Sequence, residues 1–363
     1  MITAVAVVEH GKINLAKDFD PARKDHTLPI VLEYLAEGAA NVVLRLVPFG
    51  AASKLGVAPP ELLHKLLRLR KDKRSQASIA VQHAHLTEAI APLIPAEHLV
   101  QHILVTIDAA LLNAVNHELE QLHTDGFRPS TRAADRVATT EPQALLVTDM
   151  SAIGVQIALE FKPKWLAPSP NAPDDAKRCR TCALRAQRVA AGTLDAVRAA
   201  KTAFCPLALV GYGDEGARLR TAEAILAANE CEWFLEGAAG QLAAALEKHV
   251  APLLARLEGL QRRLDPNGIM AVDTASGELP PPDLLLAMTL RDCAVFLRVE
   301  KSFRDNQVEV RLADLDAKLA NPDKVAKWRG TEEMLLRDGW YENEERDAVK
   351  EQVCVLSRAS GLE

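Results

Sequence analysis

"LEFKPKWLAPSP", residues 159–170, sets a strand-like apolar run against a Lys-Pro-Lys triplet and then turns away through two more prolines. Proline fixes its own φ and pushes the residue before it into the extended region. Lys162 and Lys164 are therefore expected to project the same way from an extended backbone. Two cations held so stiffly suit an anion, and a strand end with two solvated lysines fits the same residues. The flanking sequence has to decide.

Upstream, "LPIVLEYL" and "NVVLRLV" are strand-like runs separated by "AEGAA", which reads as a β-hairpin around a small-residue loop. A loop, "PFGAASKLGVAPP", leads to a third candidate strand, "LLRLRK". "ASIAVQHAHLTEAIAPLI" and "DAALLNAVNHELEQL" then space apolar residues at three and four, which predicts helices. "PQALLVTDM", residues 142–150, is a further strand and a crossing point, so residues 1–150 form a mixed N-terminal lobe. The remainder, 151–363, runs from the lysine clamp through an Arg-rich helix ("KRCRTCALRAQRVAAG"), a helix at 214–228 and a long amphipathic helix near 238–262. "LLLAMTLRDCAVFLRV" and "VEVRLADLDAK" read as paired strands, followed by a helical tail. Strands and helices in this order give an α+β fold.

The chain has 363 residues, 48% of them hydrophobic and 25% charged, which is enough for two lobes with substantial cores. A formal charge of −6 argues against a broad nucleic-acid footprint, so an anion site must be local. No basic n-region opens the chain and no apolar stretch approaches the roughly 20 residues of a membrane helix. A nuclear or cytoplasmic protein, without membrane or nucleic-acid partners, is expected. Its six cysteines are scattered apart from Cys179 and Cys182. "CRTC" invites a metal reading, yet a structural zinc site needs about four ligands and no second CxxC or HxxxH lies nearby, so reduced thiols are the expectation.

Phosphoryl transfer needs three things that occur here far apart in sequence: a small-residue loop over nucleotide phosphates, carboxylates for magnesium, and clustered cations for a charged acceptor. "EGAAN" supplies the first, although it is no Walker A loop and a plain hairpin turn explains it too. Asp292 lies within "RDCAVF", where a charge in an apolar strand requires compensation. Asp314 and Asp316 alternate in "ADLDAK", so on a strand they face one side. Lys177, Arg178, Arg180, Arg185 and Arg188 follow the clamp closely. That density suits a polyphosphate, since Arg binds phosphate bidentately and Lys acts as a point charge, although a solvated helix is the plainer reading of such a run.

Together these residues resemble the inositol-pentakisphosphate 2-kinase family over about residues 30–320. "EFKPKWL" is similar to that family's Glu-Ile-Lys-Pro-Lys signature, and Cys179 to Cys182 match its downstream CRxC element. "EGAAN", "LRLRK", "RPSTR", "CPLAL", "AANECEWFLEG", "LRDCAVF" and "DLDAK" resemble further family elements in the same order. The resemblance implies a two-lobed kinase-like fold with a larger α/β C-terminal lobe, ATP and Mg2+ as cofactors, and inositol pentakisphosphate as the acceptor of a monomeric enzyme. By it, Asp292 is catalytic and a magnesium ligand, and Asp314 is the second ligand. Gly38, Ala39, Ala40, Asn41, Arg68 and Asp149 bind nucleotide. Arg132, Lys162, Lys164, Arg188, Asn229 and Lys318 bind substrate phosphates, and Lys324, Lys327 and Trp328 stand where further basic and aromatic contacts occur.

Departures from the family pattern accompany the match. Ala39 replaces a loop glycine, Thr131 a tryptophan, Leu184 a common histidine and Glu230 an asparagine. They motivate an alternative, an inositol polyphosphate-binding protein that has lost catalysis. A second alternative is a nucleic-acid or partner-binding protein that uses the basic run "KLLRLRKDKR".

Overall fold

The computed structural model describes residues 1–9, 12–18, 27–48, 62–73, 76–231, 237–273, 279–300, 308–342 and 354–359. Most of the expected loop "PFGAASKLGVAPP" and part of "AANECEWFLEG" fall outside them. The chain divides into two compact units, residues 1–96 with 100–149, and residues 97–99 with 150–363.

The first unit is a closed barrel of seven strands: β1 (Ile2–Glu9), β2 (Lys12–Ala16), β3 (Thr27–Glu37), β4 (Asn41–Pro48), β5 (Lys65–Arg70), β6 (His102–Ile107) and β7 (Gln143–Thr148), in the order β1-β2-β6-β7-β5-β4-β3. Closure leaves no unpaired edge to template aggregation. The expected hairpin is β3 and β4, antiparallel with a bulge between Tyr34 and Ala36. Alternation sends Leu28, Ile30 and Leu32 from β3 and Val42, Leu44 and Leu46 from β4 into one core. Strands β1, β2 and β6 were not expected from the sequence. β1 reads "ITAVAVVE", apolar at nearly every position, so no period of two separates its faces.

Two helical segments accompany the barrel. α1 (Ile79–Ala84) continues through a π-helical turn, His85–Ile90, and packs on β7 and β6. α2 (Ala109–Thr124) adds Leu111, Leu112, Val115 and Leu119 to the barrel core. Asp108 caps α2 by accepting from the Leu111 amide at 2.6 Å and also accepts from the Lys17 amide at 3.1 Å.

Within the basic run "KLLRLRKDKR", residues 65–70 are strand β5. Lys71, fully buried, donates to Glu37 at 2.5 Å, Asp135 at 2.8 Å and the Gly38 carbonyl at 2.8 Å. Arg128 grips the same Glu37 through two nitrogens at 2.6 and 3.0 Å, and Arg70 pairs with Glu141 at 3.1 Å. These pairings commit Arg70, Lys71 and Lys73 to carboxylates of the same unit, and Arg74 lies outside the described residues.

In the second unit, β8 (Gln156–Phe161), β9 (Ala294–Glu300) and β10 (Val308–Ala313) form an antiparallel sheet in the order β10-β9-β8. Its longer helices are α3 (Arg180–Ala190), α4 (Glu215–Ala228), α5 (Ala238–Ala245), α6 (Ala251–Leu264), α7 (Pro282–Leu290) and α8 (Pro322–Arg337), with short helices at Ala196–Thr202 and Val355–Ala359. The long amphipathic stretch near 238–262 is α5 and α6 joined by the π-helical turn Leu246–Val250.

Two strand expectations are corrected. "LLLAMTL" belongs to α7, because Pro282 starts a helix readily and a short apolar run does not distinguish buried helix from strand. Asp292 therefore occupies the turn between α7 and β9 rather than the middle of a strand. Strand β10 ends at Ala313, and Asp314 takes a left-handed φ of 55°, so Asp314 and Asp316 do not alternate along a strand.

Replacing Lys71 with Met should cost about 3–5 kcal/mol, since it leaves buried carboxylates short of their cation; chemical denaturation of the purified variant measures this. Burial pushes the Asp135 carboxyl up, but Lys71 and Lys73 outweigh that and hold it at about 2 instead of the usual 3.8. A depressed carboxylate contributes stability that is present above its unfolded pKa and lost as pH falls through the folded one. Thermal stability should therefore drop between about pH 4 and about pH 2, and Asp135→Asn should flatten that part of the melting-temperature profile.

Candidate active site

At the end of β8 the chain leaves the sheet through Lys162, Pro163 and Lys164. Lys164 is not extended: its φ is 56°, in the left-handed region that non-glycine residues rarely occupy. That corrects the simple picture of two lysines on an extended backbone. The ammonium groups nonetheless converge on Asp292. Lys164 Nζ lies 2.9 Å from Oδ1, and Lys162 Nζ donates to the Asp292 carbonyl at 3.1 Å and stands 3.7 Å from Oδ1. Lys318 Nζ approaches Oδ2 at 2.6 Å, and Lys162 also makes a close ion pair with Asp314. Asp314, like Lys164, is left-handed, and each such residue costs of order 1–3 kcal/mol unless its surroundings hold it.

What holds them can be named. The buried Gln261 amide on α6 donates to the Lys164 carbonyl at 3.0 Å and the Leu290 carbonyl at 3.3 Å, and accepts from the Leu166 amide at 3.0 Å. It thus ties the clamp to the end of α7, two residues before Asp292. Trp165, next to the clamp, has Arg291 at 3.6 Å and Arg180 at 4.5 Å from its ring centroid. Each guanidinium has its own buried carboxylate, Asp265 for Arg291 at 2.5 Å and Glu332 for Arg180 at 2.6 Å. Glu332 further accepts from Ser169 and Tyr341, both at 2.6 Å. Arg180 and Arg291 are therefore committed to the frame.

In front of this frame lies a cavity of about 490 Å3. Beside the two framing arginines, six cations line it, Lys162, Lys164, Arg185, Arg188, Lys318 and Lys327, against the single carboxylate of Asp292. Trp328, Met288 and Leu184 supply apolar wall. Partial burial pushes the Asp292 carboxyl up, but Lys318 and Lys164 outweigh it and hold the group far below the ordinary carboxylate range. For Lys162 burial pulls the ammonium down and Asp314 more than reverses this, raising it above the usual lysine range. The cavity can receive a compact, multiply charged anion and present it to an ionised carboxylate.

Lys162, Lys164, Arg188, Lys318, Asp292 and Asp314, dispersed over the sequence, are thus brought together. Asn229 is not. It ends α4, and its side chain is spent on backbone, accepting from the Glu160 amide at 2.9 Å and donating to the carbonyls of Glu160 at 3.0 Å and Ile225 at 2.8 Å. It does not line the cavity. Both of its amide hydrogens are spent on backbone carbonyls, so it has no donor left for a phosphate in this arrangement.

In the first unit, Gly38, Ala39, Ala40 and Asn41 form the β3–β4 turn, closed by the Gly38 amide donating to the Asn41 carbonyl at 2.9 Å. Gly38 has no left-handed φ, and a Cβ there would meet nothing within 4 Å, so the fold does not require glycine at this position. With the Asn41 amide oxygen facing it, Arg68 donates to Asn41 from Nε at 3.2 Å and Nη2 at 2.7 Å. Arg132 lies 3.6 Å from Asp135, and the Asp149 amide donates to the His64 carbonyl at 2.8 Å.

Sequence reasoning missed Gln261, Trp165 and the Arg180–Glu332 and Arg291–Asp265 pairs, because each links segments well separated in sequence and no local spacing marks them. It also missed the company of "CRTC", for Cys205 and Cys354 join Cys179 and Cys182 in one buried group. Gln261→Leu keeps the volume and removes three hydrogen bonds, leaving the buried Leu166 amide unpaired. It should lower stability by about 1–3 kcal/mol, read by chemical denaturation.

Comparison with known proteins gives this geometry its context. Residues 34–334 match the family model described as inositol-pentakisphosphate 2-kinase. The chain is similar to an inositol-pentakisphosphate 2-kinase of Yarrowia lipolytica (strain CLIB 122 / E 150), with 28% identity over 284 residues, 76% of this chain and 86% of the relative. With most of its length matched, the chain belongs to the inositol-pentakisphosphate 2-kinase family of enzymes.

Proposed function

We propose that this chain transfers the γ-phosphoryl group of ATP to the 2-hydroxyl of inositol 1,3,4,5,6-pentakisphosphate, giving inositol hexakisphosphate. The observation that carries the reading is the convergence of six cations on one cavity around an ionised Asp292. A ring bearing five phosphates carries roughly eight to ten negative charges near neutral pH, which calls for about five or six cations in one place. Lys164 and Lys318, now paired with Asp292, and Arg188 and Lys327 are positioned to accept those phosphates, while Arg185 adds its charge to the wall.

In the transfer, the 2-hydroxyl oxygen forms a bond to the γ-phosphorus while the bond from that phosphorus to the β,γ-bridging oxygen breaks, releasing ADP. The hydroxyl proton passes to Asp292. In a loose transition state that proton leaves late, so a carboxylate of low basicity serves by orienting the hydroxyl and receiving the proton as charge builds. Asp292 and Asp314 both contact Lys162, so two oxygen-donor groups already share one positive charge, and they fit a magnesium ion. When bound there, the ion would neutralise charge on the nucleotide phosphates. By family resemblance the turn Gly38–Asn41 with Arg68 and Asp149 would serve the nucleotide, Arg132 would reach substrate, and the two units would be the lobes of a kinase-like fold. Leu184, on the cavity wall in place of a common histidine, leaves the phosphates to the remaining cations.

Incubation of the purified chain with magnesium-ATP and the pentakisphosphate should yield the hexakisphosphate, resolved by ion-exchange chromatography. Asp292→Asn should lower kcat by about 100-fold to 10,000-fold while calorimetry shows the pentakisphosphate still bound. Tight binding with no turnover by the unaltered chain would favour an inositol polyphosphate binder, and undiminished turnover by the variant would remove Asp292 from the chemistry.

A further inference from the structure

Behind the cavity wall, three segments distant in sequence bring four thiols to one point. Cys179 precedes the first turn of α3, Cys182 lies within that turn, Cys205 stands between Phe204 and Pro206, and Cys354 begins the short helix Val355–Ala359. All four are buried, and their sulfur atoms lie within 4.8 Å of one another. Cys205 Sγ is 3.6 Å from Cys354 Sγ and 3.9 Å from Cys179 Sγ. A disulfide requires about 2.05 Å. Four sulfurs on a tetrahedral zinc at about 2.3 Å would stand about 3.8 Å apart.

The surroundings treat these sulfurs as acceptors. The Cys179 amide donates to Cys354 Sγ at 3.2 Å, and Arg185 Nη2 donates to Cys182 Sγ at 3.3 Å. The start of α3 adds the positive end of a helix dipole. Four thiolates around a divalent ion carry a net charge of about −2, and a guanidinium with a helix N-terminus offsets part of it. The plainer reading, a patch of small apolar side chains shared with Leu207, Ala208, Ala217 and Val355, accounts for burial. It does not account for four sulfurs meeting from three separate segments. Four soft, tightly spaced donors suit one zinc, whereas a cluster with bridging sulfides would hold its cysteines farther apart.

We propose that Cys179, Cys182, Cys205 and Cys354 bind a structural zinc ion, and that Cys354 thereby fastens the C-terminal segment to the start of α3. Thiol protons are released as the four Zn–S bonds form, with no change in oxidation state. The site also braces the cavity, because Arg185 reaches from the cavity wall to Cys182 Sγ and to the Phe204 carbonyl at 3.0 Å. This proposal is independent of the substrate assigned above.

Metal analysis of the full-length protein should find one zinc per chain. Exchange with cobalt should give the intense visible and thiolate charge-transfer bands of a tetrahedral tetrathiolate. Against a competing chelator, Cys354→Ser should lose zinc at least about tenfold more readily, while Cys231→Ser, outside the group, should hold it like the unaltered chain. If Cys354→Ser does not fold, the cobalt spectrum of the unaltered chain decides. The proposal is overturned if the protein neither contains nor takes up zinc, if it holds iron instead, if cobalt gives no thiolate bands, or if Cys354→Ser retains zinc equally well.

Discussion

Like charges repel, and a cavity walled by six cations and framed by two more must be held together before any ligand arrives. The second unit meets that constraint by giving each cation nearest the centre an internal counter-charge. Asp292 answers Lys164 and Lys318, Asp314 answers Lys162, Glu332 answers Arg180 and Asp265 answers Arg291. The pairs are of two kinds. Glu332 and Asp265 are buried and fully occupied, so their arginines stay where they are, whereas Asp292 and Asp314 are close to half exposed and can share their lysines with an incoming anion. A buried pair is a poor source of net stability but a strict enforcer of position, because either partner alone in the interior costs several kcal/mol. Here it fixes Trp165 between two guanidiniums and so fixes the clamp beside it.

The barrel applies the same device to a different end. Lys71 joins Glu37, Asp135 and the Gly38 carbonyl at the closed end of the β3–β4 hairpin. A turn of small residues would otherwise be the softest part of that hairpin. Anchoring it from beneath sets its position, with the Gly38 carbonyl held by Lys71 and its amide by the Asn41 carbonyl.

The mixed α+β character, the β3–β4 hairpin, β5, β7, β8 and most helices were legible because their apolar residues follow a clear period. α7 was misread because nothing in "LLLAMTL" sets a period against polar neighbours, and the barrel closure was illegible because β1 and β6 lack one face of polar residues. Within the site, the charged residues facing the cavity could be read from composition and from resemblance to a family. The groups that position them, neutral or charged, could not. Gln261 is one glutamine on a leucine-rich helix, and only tertiary contact reveals that it holds two backbone segments together. Asn229 shows the converse, since a residue type suited to ligand contact is consumed by the fold.

The two left-handed residues at the site, Lys164 and Asp314, follow from the same constraint. On an extended strand, side chains two residues apart project in parallel. A left-handed turn at Lys164 redirects its side chain toward Asp292 Oδ1 while Lys162 is free to face Asp314. At Asp314 the same reversal takes the carboxylate out of the β10 register and toward Lys162. Strain at both positions is offset by hydrogen bonds and ion pairs that exist only in this arrangement. The charged groups are therefore already aimed before substrate binds, which is where positioning and electrostatic catalysis draw their advantage.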